Sequence, residues 1–382
     1  MNIPPNIPLA SRLLVPVAGL LLMATSAIAA DLPKISLKVI SSIKLPSPGY
    51  SVAMNRDGSR IAIGLDKAVI VHNRKGSLRL TLPLTTGQVR SLAWSPEGNL
   101  LAVGSYQSVQ LFHWEDDAEG APKLIPVKSL PGHRGYVVDL AWSPDGKRIV
   151  SACDDEAARV FDVESGQRLL MLVDHAYAVT SAEWSPAGEW LLTSAGDESR
   201  AFKAGEVFLR DANTGEVVRK FEGHERPVLK AVFTTDGKFV VTGGLDEKCY
   251  VFNTADGTPL GFYGGHSRPV RDLVTVVSSS PGIDVAFSGA GGRNQGKNEI
   301  RAWTVDSGDD LAIDETHSAP VTGLALSSSA GLLASVSRDR TAQIFQVTGL
   351  QSASVPSSAA TSPPTKATTP QRKWPPAPQS PE

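Results

Sequence analysis

The stretch Trp142-Ser143-Pro144-Asp145-Gly146-Lys147-Arg148-Ile149-Val150-Ser151-Ala152 decides the fold. Its Pro and Asp-Gly close a tight turn, and the apolar run that follows ends in small residues, which is the pattern of a hairpin between two strands. The same turn recurs at Trp94-Ser95-Pro96-Glu97-Gly98 and at Trp184-Ser185-Pro186-Ala187-Gly188, with weaker copies at Met54 to Gly58, Phe233 to Gly237 and Leu326 to Gly331. A third strand follows each hairpin, as in Arg159-Val160-Phe161-Asp162. A Gly turn such as Ser165-Gly166 then leads into a fourth. The unit is a four-stranded antiparallel meander, repeated along the chain.

Histidines set the register. Five of the seven, His133, His175, His224, His266 and His317, stand four residues before a Val, at separations of 42, 49, 42 and 51. His133 to Asp155, His224 to Asp246 and His317 to Asp339 are each 22 residues, and Phe161, Phe252 and Phe345 each lie 28 beyond their His. Counting from His to the third strand leaves extra length in two repeats, assigned to insertions at 195–206 and 289–298. The second contains Gly289-Ala290-Gly291-Gly292, which lacks the following Lys-Ser or Lys-Thr of a phosphate cradle.

Through Gly132-His133, Gly223-His224 and Gly265-His266, the Ser-Pro-Asp-Gly turn and the Phe161-Asp162 pair, residues 36 to 349 resemble the WD-repeat family of β-propellers, in the form of a bacterial-type exported protein. The resemblance implies an all-β fold of seven four-stranded blades, about 45 residues each. It departs from the family in that repeats one and two lack the His and the final Trp of the repeat survives only at Trp114 and Trp303. The seventh repeat stops after its third strand, so the apolar segment Lys38 to Leu45 is expected to complete it and close the ring.

Composition bounds the remainder. Lys plus Arg number 37 and Asp plus Glu 39, a net charge of −2, which argues against a nucleic-acid platform. Residues 1–29 read as a cleavable export signal: Arg12, an apolar run from Leu13 to Met23, then Ala27-Ile28-Ala29. That run is too short for a membrane span, so a periplasmic or extracellular protein without stable membrane insertion is expected. Residues 350–382 hold 8 Pro, 6 Ser and 4 Thr and read as a disordered tail; residues 30–349 form the propeller. Two cysteines, Cys153 and Cys249, sit a blade apart and read as packed thiols.

The matched His and Asp residues could be taken for a catalytic or metal constellation. One pair per repeat instead assigns His133, Asp155, His224, Asp246, His317 and Asp339 to structural bonds inside separate blades, with no catalytic or metal-binding residue and no cofactor. Asp139, Lys230 and Asp272 fall near the channel on first strands, yet as one charge per alternate blade they are expected not to converge. The resulting expectation is a monomeric, non-catalytic scaffold that binds a protein or peptide through Arg134, Tyr136, Tyr177, Arg226, Arg268 and Arg338 on the face of the His-proximal loops. The alternative is an exported hydrolase or lactonase using the channel.

Overall fold

A computed structural model describes residues 32–116, 121–280, 282–292 and 297–351. The export segment and nearly all of the tail therefore lie outside the described residues. Seven four-stranded antiparallel sheets are present. Blade 3 is representative: Val137–Trp142, Arg148–Cys153, Ala157–Asp162 and Arg168–Leu172 pair in that order. Blades 1 to 6 span 51–88, 91–130, 137–172, 179–220, 228–263 and 270–317. Blade 7 joins its three strands within 321–348 to Ser36–Lys44, which pairs antiparallel with Thr341–Thr348. The N-terminal strand thus closes the ring as expected. Leu350 and Gln351, placed in the tail by composition, still bond to the first strand of blade 6 and the turn after it: Gln351 N donates to Val277 O at 3.1 Å.

The sequence pattern explains the radial order. First strands line a central cavity of about 600 Å³. Second and third strands are buried on both faces and mostly apolar, whereas the fourth strands are largely open to solvent. Between blades lie apolar layers such as Ala102, Leu111, Leu140, Trp142, Ile149 and Phe161. Burying one side chain such as Phe161 contributes about 2 to 3 kcal/mol.

The repeated turn has a local cause. Ser143 Oγ accepts the Arg148 amide at 2.9 Å and Asp145 Oδ1 accepts that of Lys147 at 3.0 Å, while Gly146 takes φ +69°, which glycine adopts without strain. Its Trp stitches blades: Trp142 Nε1 donates to Ala93 O at 3.0 Å and Trp184 Nε1 to Ala141 O at 3.2 Å. Turns between first and second strands, and between third and fourth, share one face of the ring. The His loops and the turns between second and third strands occupy the other.

Candidate functional site

Each of the five histidines is buried and lies close to a Ser or Thr of the second strand. His224 bonds Asp246 through Nδ1 at 2.8 Å and Thr242 through Nε2 at 2.7 Å; His317 bonds Asp339 at 3.0 Å and Ser335 at 2.7 Å. Burial pushes the Asp339 carboxyl up, but the bonds from His317 and Thr341 outweigh it and hold it well below the carboxylate range. These two pairs sit as the spacing implies.

Blade 3 departs from that pattern. Arg159 takes Asp155 bidentately, at 3.0 and 2.7 Å, and the Arg134 amide adds a third bond, leaving His133 Nδ1 buried without a partner. Burial, reinforced by the Arg159 charge, lowers His133 to about 4.

In blades 4 and 6 the carboxylate comes from elsewhere. Glu206 meets His175 at 2.9 Å and Glu299 meets His266 at 3.0 Å, both from the start of the third strand. Burial pushes Glu299 up, but bonds from His266 and Arg301 bring it to about 2. Forward counting from the His misses both glutamates; counting back from the third strand finds them.

The same blades refine the Trp assignment. Trp303 Nε1 donates to Ser288 Oγ at 3.0 Å. Arg210 fills this role in blade 4, its Nε reaching Thr193 Oγ1 at 3.0 Å. In blade 2 the equivalent place belongs to Phe112, opposite Leu101, as Phe161 lies opposite Ile149. Trp114 lies two residues beyond and packs edge-on against Trp94 at 5.9 Å, so it is not the final Trp of its repeat. The extra length of blade 6 is also divided. His266 and its serine are 22 residues apart against 18 in the other four blades, which puts part of it in the first hairpin and the rest after Ala290.

The channel corrects another expectation. Lys230 Nζ reaches across to Asp139 Oδ2 at 2.7 Å, and Asp272 and Glu183 act on the same ammonium. The charges converge because a lysine is long enough to cross the narrow channel. Burial alone would lower Lys230, but Asp139, Asp272 and Glu183 outweigh it and raise it. Burial and the neighbouring carboxylates push Glu183 up to about 8, and Asp272 to about 6 mainly by burial. Both aspartates also staple blades: Asp139 accepts Leu140 and Ala182 amides, and Asp272 accepts those of Leu273 and Leu324. Cys153 and Cys249 are buried free thiols. Among the described residues no group of three or more His, Cys, Asp or Glu could hold a metal ion.

On the His-loop face, Tyr136 stacks under Arg90 at 3.8 Å and meets Tyr106 edge-on at 5.1 Å, with the Arg134 carbonyl held by Gln107. Arg226 lies over the Phe202 ring at 5.6 Å in the blade 4 insertion. Arg268 borders Gly292 in the blade 6 insertion. Among the described residues no carboxylate lies within 4.0 Å of Arg134, Arg226 or Arg268. Tyr177 is half-buried and Arg338 exposed on the same face.

The repeat model described as "WD domain, G-beta repeat" matches residues 76–113, 124–162, 166–199, 215–253 and 308–346. Four of the five matches run from an outer strand of one blade to the third strand of the next, and the match 166–199 stops in the lengthened loop before the third strand of blade 4; the one-strand offset is what makes closure by the N-terminus necessary. The chain is 24% identical over 325 residues to a guanine nucleotide-binding protein subunit beta of Oryza sativa subsp. japonica, covering 82% of this chain and 81% of that one. It is 25% identical over 255 residues to the protein of the same name from Arabidopsis thaliana, covering 64% and 66%. It is 32% identical over 129 residues to WD repeat-containing protein 37 of Mus musculus, covering 34% and 25%. With seven closed blades, the His-centred bonds and these matches, the chain belongs to the WD-repeat β-propellers.

Proposed function

We propose that this chain is an exported, non-catalytic scaffold that binds a protein or peptide on the face of the His-proximal loops. The observation that carries the reading is that three Arg side chains on that face have no carboxylate within 4.0 Å among the described residues, beside a tyrosine held in place. Arg134, Arg226 and Arg268 lack carboxylate partners among the described residues, and Tyr136 is fixed in place by Arg90 and Tyr106. Rigid aromatic and Arg groups carry much of the binding energy of protein interfaces. Relatives named as a subunit of a guanine nucleotide-binding protein agree with a role in assemblies.

Capture of the partner from the envelope fraction by the mature protein, compared with capture by the Arg226→Ala, Arg268→Ala double variant, tests the reading. About 1 to 3 kcal/mol should be lost per important contact with the melting midpoint unchanged. Undiminished capture moves the site elsewhere. N-terminal sequencing of the native protein tests export: a chain beginning at Met1 in the cytosol refutes it.

A second reading, a hydrolase or lactonase in the channel, is favoured by the meeting of Asp139, Glu183, Lys230 and Asp272. Against it, the two aspartates are occupied by backbone amides and the lysine by Asp139. A hydrolytic activity abolished by Lys230→Met in a folded protein would establish this second reading.

A further inference from the structure

The two lengthened loops lie about 90 residues apart in sequence, yet one side chain ties them together. Arg271, at the start of the first strand of blade 6, donates through Nη1 to Glu198 Oε1 of the blade 4 loop at 3.2 Å. Through Nε it donates to Gly291 O of the blade 6 loop at 3.0 Å. The blade 4 loop is fixed further. Asp197 caps the short 3-10 turn Glu198–Arg200, and the Gly196 and Gly205 amides bond Ala178 O and Arg226 O at 3.0 and 3.1 Å.

This well-anchored loop holds Phe202 out at 87% exposure, higher than any other large apolar side chain described. Its one described ring contact is the Arg226 guanidinium. A phenylalanine contributes almost nothing to folding at that exposure, while its apolar area is available to a partner.

The local charge is one-sided. Asp197 pairs with Arg200, Glu198 with Arg271 and Glu206 with His175. Lys203, Arg226 and Arg268 are left without a carboxylate within 4.0 Å among the described residues, while Glu222 and Glu225 stand exposed in the same loop as Arg226.

We infer that the blade 4 loop, tied through Arg271 to Gly291 at the described end of the blade 6 loop, forms one docking platform with Arg226 and Arg268, with Phe202 as its anchor, for a partner segment carrying an apolar or aromatic residue flanked by Asp or Glu. The inference rests on the proposed binding function and locates it. Partner aromatic or aliphatic area covers Phe202, and flanking carboxylates meet Lys203, Arg226 and Arg268, where Arg can take a carboxylate bidentately.

Selection of a phage-displayed library of short random peptides on the full chain tests it, with Phe202→Ala and Phe202→Tyr as variants. Enriched peptides should be acidic around an apolar residue. A synthetic representative should bind Phe202→Ala about 30-fold more weakly than the wild type, the loss typical of an interface anchor, and bind Phe202→Tyr nearly as well as the wild type. All three proteins should melt together. Peptides that bind Phe202→Ala undiminished but are lost on Tyr136→Ala would overturn the platform and leave the binding function standing. No enrichment over a blank surface would overturn both. Phe202-dependent binding to phosphatidylglycerol vesicles without peptide enrichment would replace the partner segment with a lipid surface and overturn the inference.

Discussion

Blades 5 and 7 hold their histidine with an aspartate from the turn between second and third strands; blades 4 and 6 hold it with a glutamate from the third strand itself. In the first arrangement the turn is part of the bond and must stay short. Glu247 and Arg340 sit at φ +66° and +64° in those turns, and Lys67, Gln107 and Glu156 repeat the conformation in blades 1, 2 and 3. Among the described residues, blades 4 and 6 have no such residue in that loop. Moving the carboxylate onto the strand, and lengthening its arm by one methylene, keeps the internal bond while releasing the turn to grow. Both loops that grew did so on the face with the unneutralised arginines, and Arg271 joins them.

The largest effect is expected where a blade depends on another part of the chain. Deleting residues 36–45 removes the fourth strand of blade 7 together with buried Ile43 and Leu45, and should cost about 5 kcal/mol or more. Truncation after Gln351 should leave the thermal midpoint unchanged. An unchanged midpoint in the first deletion would contradict the closure.

The comparison itself sharpens with two single changes. Glu299→Ala strips a fully buried carboxylate from both His266 and Arg301 and should cost about 3 to 5 kcal/mol. Asp246→Ala removes a bond to one imidazole and should cost about 1 to 3 kcal/mol. Denaturant melts returning the reverse order would show that the strand glutamate is the weaker arrangement.

The channel carboxylate should respond to pH with the opposite sign to the blade carboxylates. Glu299, lowered to about 2, favours the fold above its unfolded value, and that stability is lost as pH falls through about 2. Glu183, raised to about 8, keeps its proton in the fold while the unfolded chain has already lost it, so stability falls as pH rises from about 4.5 to about 8. Glu183→Gln should therefore stabilise the protein by about 2 to 4 kcal/mol at pH 8 and have little effect at pH 4. Melts showing equal gains at both values would refute this assignment.

Blade 3 offers a smaller test. His133, held to about 4 by burial and by Arg159, should stay neutral at pH 5 in an NMR titration, and Arg159→Met, which releases Asp155, should raise it. A titration already centred near 6.5 in the wild type would contradict the capture of Asp155 by Arg159. Smallest of all, Phe202→Ala and the Arg226→Ala, Arg268→Ala pair should shift stability by less than about 0.5 kcal/mol.

Blade number, strand order and closure were legible because His, Val and the Trp-Ser-Pro turn recur at fixed offsets. The His224 and His317 bonds followed from the same offsets. Glu206 and Glu299 were hidden because insertions break the forward count from the His, and Trp114 misled because a strand side chain two residues out of place keeps the same face. Meeting of Lys230 with Asp139 depends on the channel width and the reach of a lysine, which spacing along one chain does not express. The link through Arg271 was equally invisible, since Glu198 and Gly291 come together only when blades 4 to 6 stack side by side.

Site-specific photo-crosslinking in the native cells tests the central claim most directly, with a photoreactive residue at position 202 in one variant and at exposed Lys147, on the opposite face, in another. A discrete cross-linked partner from position 202 and none from position 147 is the predicted result; a partner captured from position 147 alone would contradict the account.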